Sequence, residues 1–103
     1  MPESPLQLSA ALSQSITDKR IDILRRIGEV GSISEAARAA GVSYKAAWQA
    51  IETLSNLAGS ALLEKLVGGS GGGGARLTAA GERLLQAADI LTQARMDALA
   101  RLE

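Results

Sequence analysis

The chain contains neither cysteine nor histidine. Without cysteine there is no disulfide and no thiol nucleophile, and without histidine the ordinary zinc ligands and the base of a Ser-His pair are missing as well. No metal site is expected, and an enzymatic reading has no constellation to carry it. Aromatic side chains are almost absent: Tyr44 and Trp48 are the only ones. Burial must therefore come from Ala, Leu and Ile on closely approaching helices, which favours a mainly α fold. No stretch approaches the roughly 18 apolar residues of a membrane span. Met1-Pro-Glu-Ser-Pro5 lacks the basic region and apolar run of a secretory signal, so a cytoplasmic location away from membranes is expected. An excess charge of either sign is missing too, since 11 Lys and Arg balance 11 Asp and Glu. Neutrality weighs against a nucleic-acid partner, because phosphate contacts reward positive charge. Distribution matters more than the sum: from Ala36 to Ile51 the only charges are Arg38 and Lys45, and from Lys65 to Gly81 they are Lys65 and Arg76. Two windows are locally basic.

What is present reads as one domain over residues 1–103, long enough for a modest core. Leu6, Leu8, Ala10 and Leu12 alternate with mostly polar neighbours, the period of a half-buried strand. Thr17 or Asp18 can cap a first helix whose apolar positions Ile21, Leu24, Ile27 and Val30 recur every three residues, with Gly31 as its stop. Ser32 and Glu35 have capping-box spacing ahead of Ala36, Ala37 and Ala40, a helix barely two turns long that ends at Gly41. Ser43 then caps a third helix to about Ala58, ended by Asn56 and Gly59. Two helices joined by a short turn containing Gly form the helix-turn-helix pattern. The small Ala36, Ala37, Ala40 and Ala47 leave room for a steep crossing. Beyond Gly59, a strand over Ala61 to Val67, a loop over Gly68 to Gly74 and a returning strand over Ala75 to Leu77 describe a wing at about 61–77.

Around the third helix, Ala47, Ile51, Leu54 and Ala58 share an inward face, while Lys45, Gln49, Glu52 and Asn56 point away. Lys45 and Gln49 sit in the first two turns, where a recognition helix meets base edges. Lys can donate to guanine and Gln can pair with adenine. Any soluble helix also shows Lys and Gln to water, and that plainer reading stands beside the first. Tyr44 and Trp48 flank the outward face; Trp48 either packs on the wing or touches a sugar or thymine methyl. Ser32, Ser34 and Ser43 lie at two helix starts, where hydroxyls and free N–H groups seat a phosphate or simply cap. The glycine run is followed by Ala75-Arg76-Leu77 rather than Gly-Lys-Ser or Gly-Lys-Thr, so it is no nucleotide loop. It is either a bare spacer or a wing tip for the minor groove, with Lys65 and Arg76 on the strands reaching phosphates.

Thr78 can cap a last helix over about 79–102. Its apolar residues Leu84, Ala87, Leu91, Ala94, Ala98 and Leu102 are spaced three or four apart, with Leu85, Ala88 and Leu99 beside them. So wide a stripe exceeds what one small domain can cover, and a two-fold homodimer through this helix is expected.

The run Gly31-Ser-Ile-Ser-Glu-Ala-Ala-Arg-Ala-Ala-Gly-Val-Ser43, with Ile51, Leu54 and Leu77-Thr-Ala-Ala-Gly81, resembles the DNA-binding head of LysR-type regulators. Val42-Ser-Tyr-Lys-Ala-Ala-Trp-Gln-Ala-Ile51 and the glycine-rich wing up to Thr78 are more specifically similar to the N-terminal domain of the molybdate-dependent ModE regulators. The resemblance spans roughly Ile21 to Leu85. It implies a dimeric winged helix-turn-helix that binds double-stranded DNA at an inverted-repeat operator, with the third helix as reader, controlling molybdate transport or molybdenum-related genes. In that family the effector binds separate C-terminal domains. The chain stops at Glu103, so no cofactor is expected within it, and molybdate would act only through a missing or separate domain. A protein-interaction module, whose long helix pairs with a full-length regulator without touching DNA, is the alternative, supported by the neutral net charge.

Overall fold

The computed structural model describes residues 17–66 and 74–102. The alternating stretch from Leu6 to Leu12, and Val67 with the glycine run up to Gly73, lie outside the described residues.

Helix α1 covers Thr17–Val30, so the backbone of Thr17 and Asp18 is already helical. Leu24 and Ile27 are fully buried and Ile23 nearly so. Val30, expected on the inward face, is exposed at the helix end, where the chain turns through Gly31. Helix α2 spans Ile33–Ala40, and the Ser32 hydroxyl accepts the Glu35 N–H at 3.2 Å, the serine half of the anticipated capping box. It stops at Gly41, whose φ of 74° lies in the left-handed region that a side chain disfavours. The Gly41 and Val42 N–H groups turn back to the Arg38 and Ala37 carbonyls at 3.2 and 3.0 Å, closing the helix within two residues.

Helix α3 follows at once over Tyr44–Ala58, with the Ser43 hydroxyl accepting the Ala46 N–H at 3.0 Å. Ala36, Ala37 and Ala47 are buried where the helices meet, and Leu24, Ile27, Ile51 and Leu54 fill the space around them. Methyl side chains at the crossing let the backbones approach, and the larger residues supply the apolar area. Ala58, expected inward, is exposed with Leu57, because the last turn of α3 runs past the core.

The wing is an antiparallel pair, β1 over Leu63–Lys65 and β2 over Ala75–Leu77. Leu63 faces Leu77, Glu64 faces Arg76 and Lys65 faces Ala75. The first strand is shorter than the expected Ala61 to Val67. Ala61 and Leu62 are bonded to the start of the last helix instead: the Thr78 hydroxyl donates to the Ala61 carbonyl at 2.7 Å and the Thr78 N–H to the Leu62 carbonyl at 3.0 Å. On the other side, the Ala75 N–H donates to the Gly31 carbonyl at 3.0 Å, which ties β2 to the junction of α1 and α2.

Helix α4 spans Ala79–Ala100, and the Thr78 hydroxyl accepts the Gly81 N–H at 3.0 Å as its cap. At 22 residues it is about 33 Å long. Leu84 and Leu85 pack on the core, and Arg25 of α1 donates to Asp89 at 2.8 Å, a largely exposed pair worth at most about 1 kcal/mol. A second exposed pair, Arg26 to Asp22 at 2.7 Å, lies within α1; the hydrogen bond and then the charge of Asp22 hold the Arg26 guanidinium above its ordinary pKa. From Ile90 onward, α4 carries largely exposed apolar side chains, Ile90, Leu91 and Met96 among them.

Gly81 is the tightest joint between wing and helix, because a Cβ there would collide with the backbone carbonyl of Leu62. Alanine would gain about 1 kcal/mol of helix propensity. It would also displace a backbone that is bonded to Thr78, and overpacking of that kind costs about 1–3 kcal/mol or more. Gly81→Ala is therefore expected to lower the unfolding midpoint in denaturant; an unchanged or raised midpoint would refute the close approach.

Candidate nucleic-acid interface

The N-termini of α2 and α3 and the wing open onto one cavity of about 300 Å³. It is lined by Ser32, Ile33, Ser34, Tyr44, Lys65, Leu66, Gly74 and Ala75. Four of the residues proposed from sequence to touch DNA, Ser32, Ser34, Tyr44 and Lys65, thus share one concave surface. Ser32 and Ser43 each satisfy one N–H of their own helix, so their hydroxyls cap; the positive end of each helix dipole remains directed outward. Ser34 is exposed in the first turn of α2.

Lys45 and Gln49 are exposed on α3, one turn apart, on the face opposite the buried Ala47, Ile51 and Leu54. Tyr44 is half-exposed at the tip of the helix. Trp48 is half-buried, and the Lys65 ammonium lies over its ring at 4.5 Å from the centroid, a cation–π contact. Of the two roles considered for Trp48, the structure contains the packing against the wing.

Arg76 is not the free cation that its sequence context implied. Its guanidinium donates to one oxygen of Glu64 directly across the ladder, from Nη2 at 2.6 Å and from Nε at 2.9 Å. Glu64 itself escaped the sequence reading, because identifying it required the strand register. Leu57, Ile90 and Met96 escaped it too, each well exposed at 75%, 72% and 59%. Of the residues assigned to the long helix, Leu84 is half-buried on its own core, whereas Ala87, Leu91, Ala94, Ala98 and Leu102 are exposed.

A short helix, a tight glycine turn, a second helix with an exposed polar face and a two-stranded hairpin beside it define a winged helix-turn-helix, the architecture of DNA-binding regulators. Residues 19–82 match the profile of the bacterial regulatory helix-turn-helix protein, lysR family. The chain belongs to that family. It is 51% identical over 73 residues to the transcriptional regulator ModE of Yersinia pestis, covering 71% of this chain and 28% of that protein. It is 40% identical over 107 residues to the molybdenum-pterin-binding protein MopA of Rhodobacter capsulatus, covering 100% of this chain and 40% of that one. Among solved structures, full-length LysG of Corynebacterium glutamicum with a bound Arg effector superposes with a TM-score of 0.59 at 30% identity, covering 81% of this chain and 27% of that one. The chain thus spans about a third of the length of these relatives. No helix among the described residues is long and apolar enough to cross a membrane.

Proposed function

We propose that this chain binds double-stranded DNA sequence-specifically, without catalysis, as a homodimer acting in the cytoplasm. The two copies of α3 would enter successive major grooves about 34 Å apart on an inverted-repeat operator. In this reading Lys45 and Gln49 reach base edges. Ser32, Ser34, Ser43 and Tyr44 meet the backbone from the helix starts, and Lys65 and Arg76 do so from the wing, with Trp48 as the platform that carries Lys65. The observation that carries the reading is the shared surface, on which the N-termini of α2 and α3 and the wing converge. Gene control linked to molybdenum, such as molybdate transport, is proposed from the names of the relatives.

The proposed DNA contacts do not depend on molybdate or any other cofactor held by this chain. Selecting bound sequences from random duplex DNA, with and without molybdate, tests both points. A palindromic consensus that is the same in either condition is expected; indifference to sequence would sink the reading. Salt separates it from a protein-interaction module. Binding through several phosphates weakens steeply as salt rises, whereas pairing through an apolar helix face does not.

A further inference from the structure

The Lys65 side chain is held at both of its ends. At the backbone end, Lys65 closes β1 opposite Ala75, which is buried and whose N–H donates to the Gly31 carbonyl at 3.0 Å. The next residue, Leu66, donates its N–H to the Gly74 carbonyl at 2.9 Å. A Cβ on Gly74 would meet the Gly31 carbonyl oxygen at 2.8 Å, so this part of the wing lies directly against the junction of α1 and α2. At the other end, the ammonium lies 4.5 Å from the centroid of the Trp48 ring. Trp48 belongs to α3, one turn after Lys45 and next to Gln49. The ring takes one side of the ammonium and leaves its charge whole, with N–H donors turned to solvent. Lys65 is exposed and lines the cavity shared with Ser32, Ser34 and Tyr44. A free lysine gives up rotamer entropy when a ligand holds it; here part of that ordering is complete in the unbound chain.

We infer that Trp48 is a positioning residue that acts through Lys65, fixing its ammonium against α3 so that it meets one particular backbone phosphate, in register with the bases that α3 reads. A cation tethered to the wing alone would take whichever phosphate lay nearest. Held on the ring, it moves with Lys45 and Gln49, and the distance from base contact to phosphate contact is set within the protein. Nothing has to be broken when the phosphate arrives, because ring and phosphate use opposite sides of the ammonium. The phosphate contact therefore adds to the ring contact instead of replacing it. Contacts to phosphate carry no sequence information of their own, but one of fixed register orients the reader on the duplex. The inference rests on the DNA-binding reading above and deepens it: Trp48 decides which phosphate Lys65 meets.

The test uses duplexes of the selected sequence, each with one neutral methylphosphonate linkage in a half-site, titrated with wild type, Lys65→Met, Trp48→Leu and Trp48→Phe. At one linkage, neutralisation should weaken wild type about 2–5-fold, the scale of one exposed ion pair, and leave Lys65→Met unaffected. Trp48→Leu, apolar but without a ring, should lose that sensitivity or spread it over adjacent linkages, whereas Trp48→Phe should keep it in place. On the unmodified duplex, Trp48→Leu should bind about 2–5-fold more weakly, and this loss should vanish when Lys65→Met is already present. An equal loss in both backgrounds would assign Trp48 a contact or packing role of its own and overturn the inference. So would a Trp48→Leu profile identical to that of wild type, or a wild-type profile in which no linkage depends on Lys65. Nuclear magnetic resonance adds a readout that a merely structural role would not move. The ring should shift the Lys65 Cε protons upfield in the free chain and in the operator complex, and Trp48→Leu should abolish the shift; its loss on DNA binding would mean that the ammonium leaves the ring, against the inference. If no duplex is bound at all, the functional reading fails and this inference fails with it, whatever the ring shift. Trp48→Phe with a circular dichroism melt matching wild type guards against a fold damaged by the leucine.

Discussion

Cutting Gln49 back to alanine is expected to weaken binding to the selected duplex about 5–150-fold, the equivalent of about 1–3 kcal/mol for one lost base-edge contact. Random-sequence duplex should be bound as before. Gln49 is uncharged and exposed on α3, so its truncation alters neither the electrostatic attraction nor the core. Surface changes of this kind usually move stability by less than about 0.5 kcal/mol. Lys45→Ala removes a similar base contact but also one positive charge. It should therefore weaken both duplexes, the selected one more, and reduce the dependence on salt by roughly one phosphate. The measurement is a binding curve for each variant against the selected duplex and its single-base substitutions. Gln49→Ala should lose discrimination at particular base pairs. If it binds every substituted duplex with wild-type affinities, α3 is not the reader.

That prediction depends on how α3 is held, and this part of the fold is legible in the sequence. Ser32, Gly41, Ser43 and Gly59 are local signals whose effect depends on the few residues around them, and each cap falls where its side chain or its freedom at positive φ requires. The alanines at the crossing are legible for a steric reason, since a close helix crossing favours small buried side chains. Legibility is lost where the outcome depends on partners distant in sequence. Arg76 carries the same signal whether or not a carboxylate faces it. Pairing it with Glu64 requires the hairpin register, and a long glycine-rich connection leaves that register open where a two-residue turn would set it. The shortening of β1 is similar, because the polar groups of Thr78 claim the carbonyls of Ala61 and Leu62 from outside the strand. Ala58 reads as inward, and Leu57 is passed over, for another reason: periodicity assigns a face to every residue of a helix but cannot say where the core beneath that face ends.

A charge placed at Leu91 is expected to leave the chain folded and to separate two copies of it. Leu91 is 60% exposed on α4, beyond the last residues that pack on the core of the same chain, so Leu91→Asp removes little that a single copy needs. In a two-fold pairing the same substitution acts twice. Losing two buried leucines costs about 3–6 kcal/mol at about 1.5–3 kcal/mol each, before the penalty of burying an unpaired carboxylate is added. That corresponds to roughly a 10²–10⁴-fold weaker dimer. Sedimentation equilibrium should show wild type as a dimer and Leu91→Asp as a monomer at the same concentration, with closely similar helical content. DNA should report the same change. An inverted repeat binds a dimer through both half-sites, and breaking the dimer removes the gain from the second engagement while each half-site keeps its modest intrinsic affinity. The variant should therefore bind the full operator little better than an isolated half-site. A Leu91→Asp chain that remains dimeric would move the interface elsewhere, to the surface around the exposed Leu57 or to residues outside those described, and the spacing of the two reading helices would then have to be set by that contact.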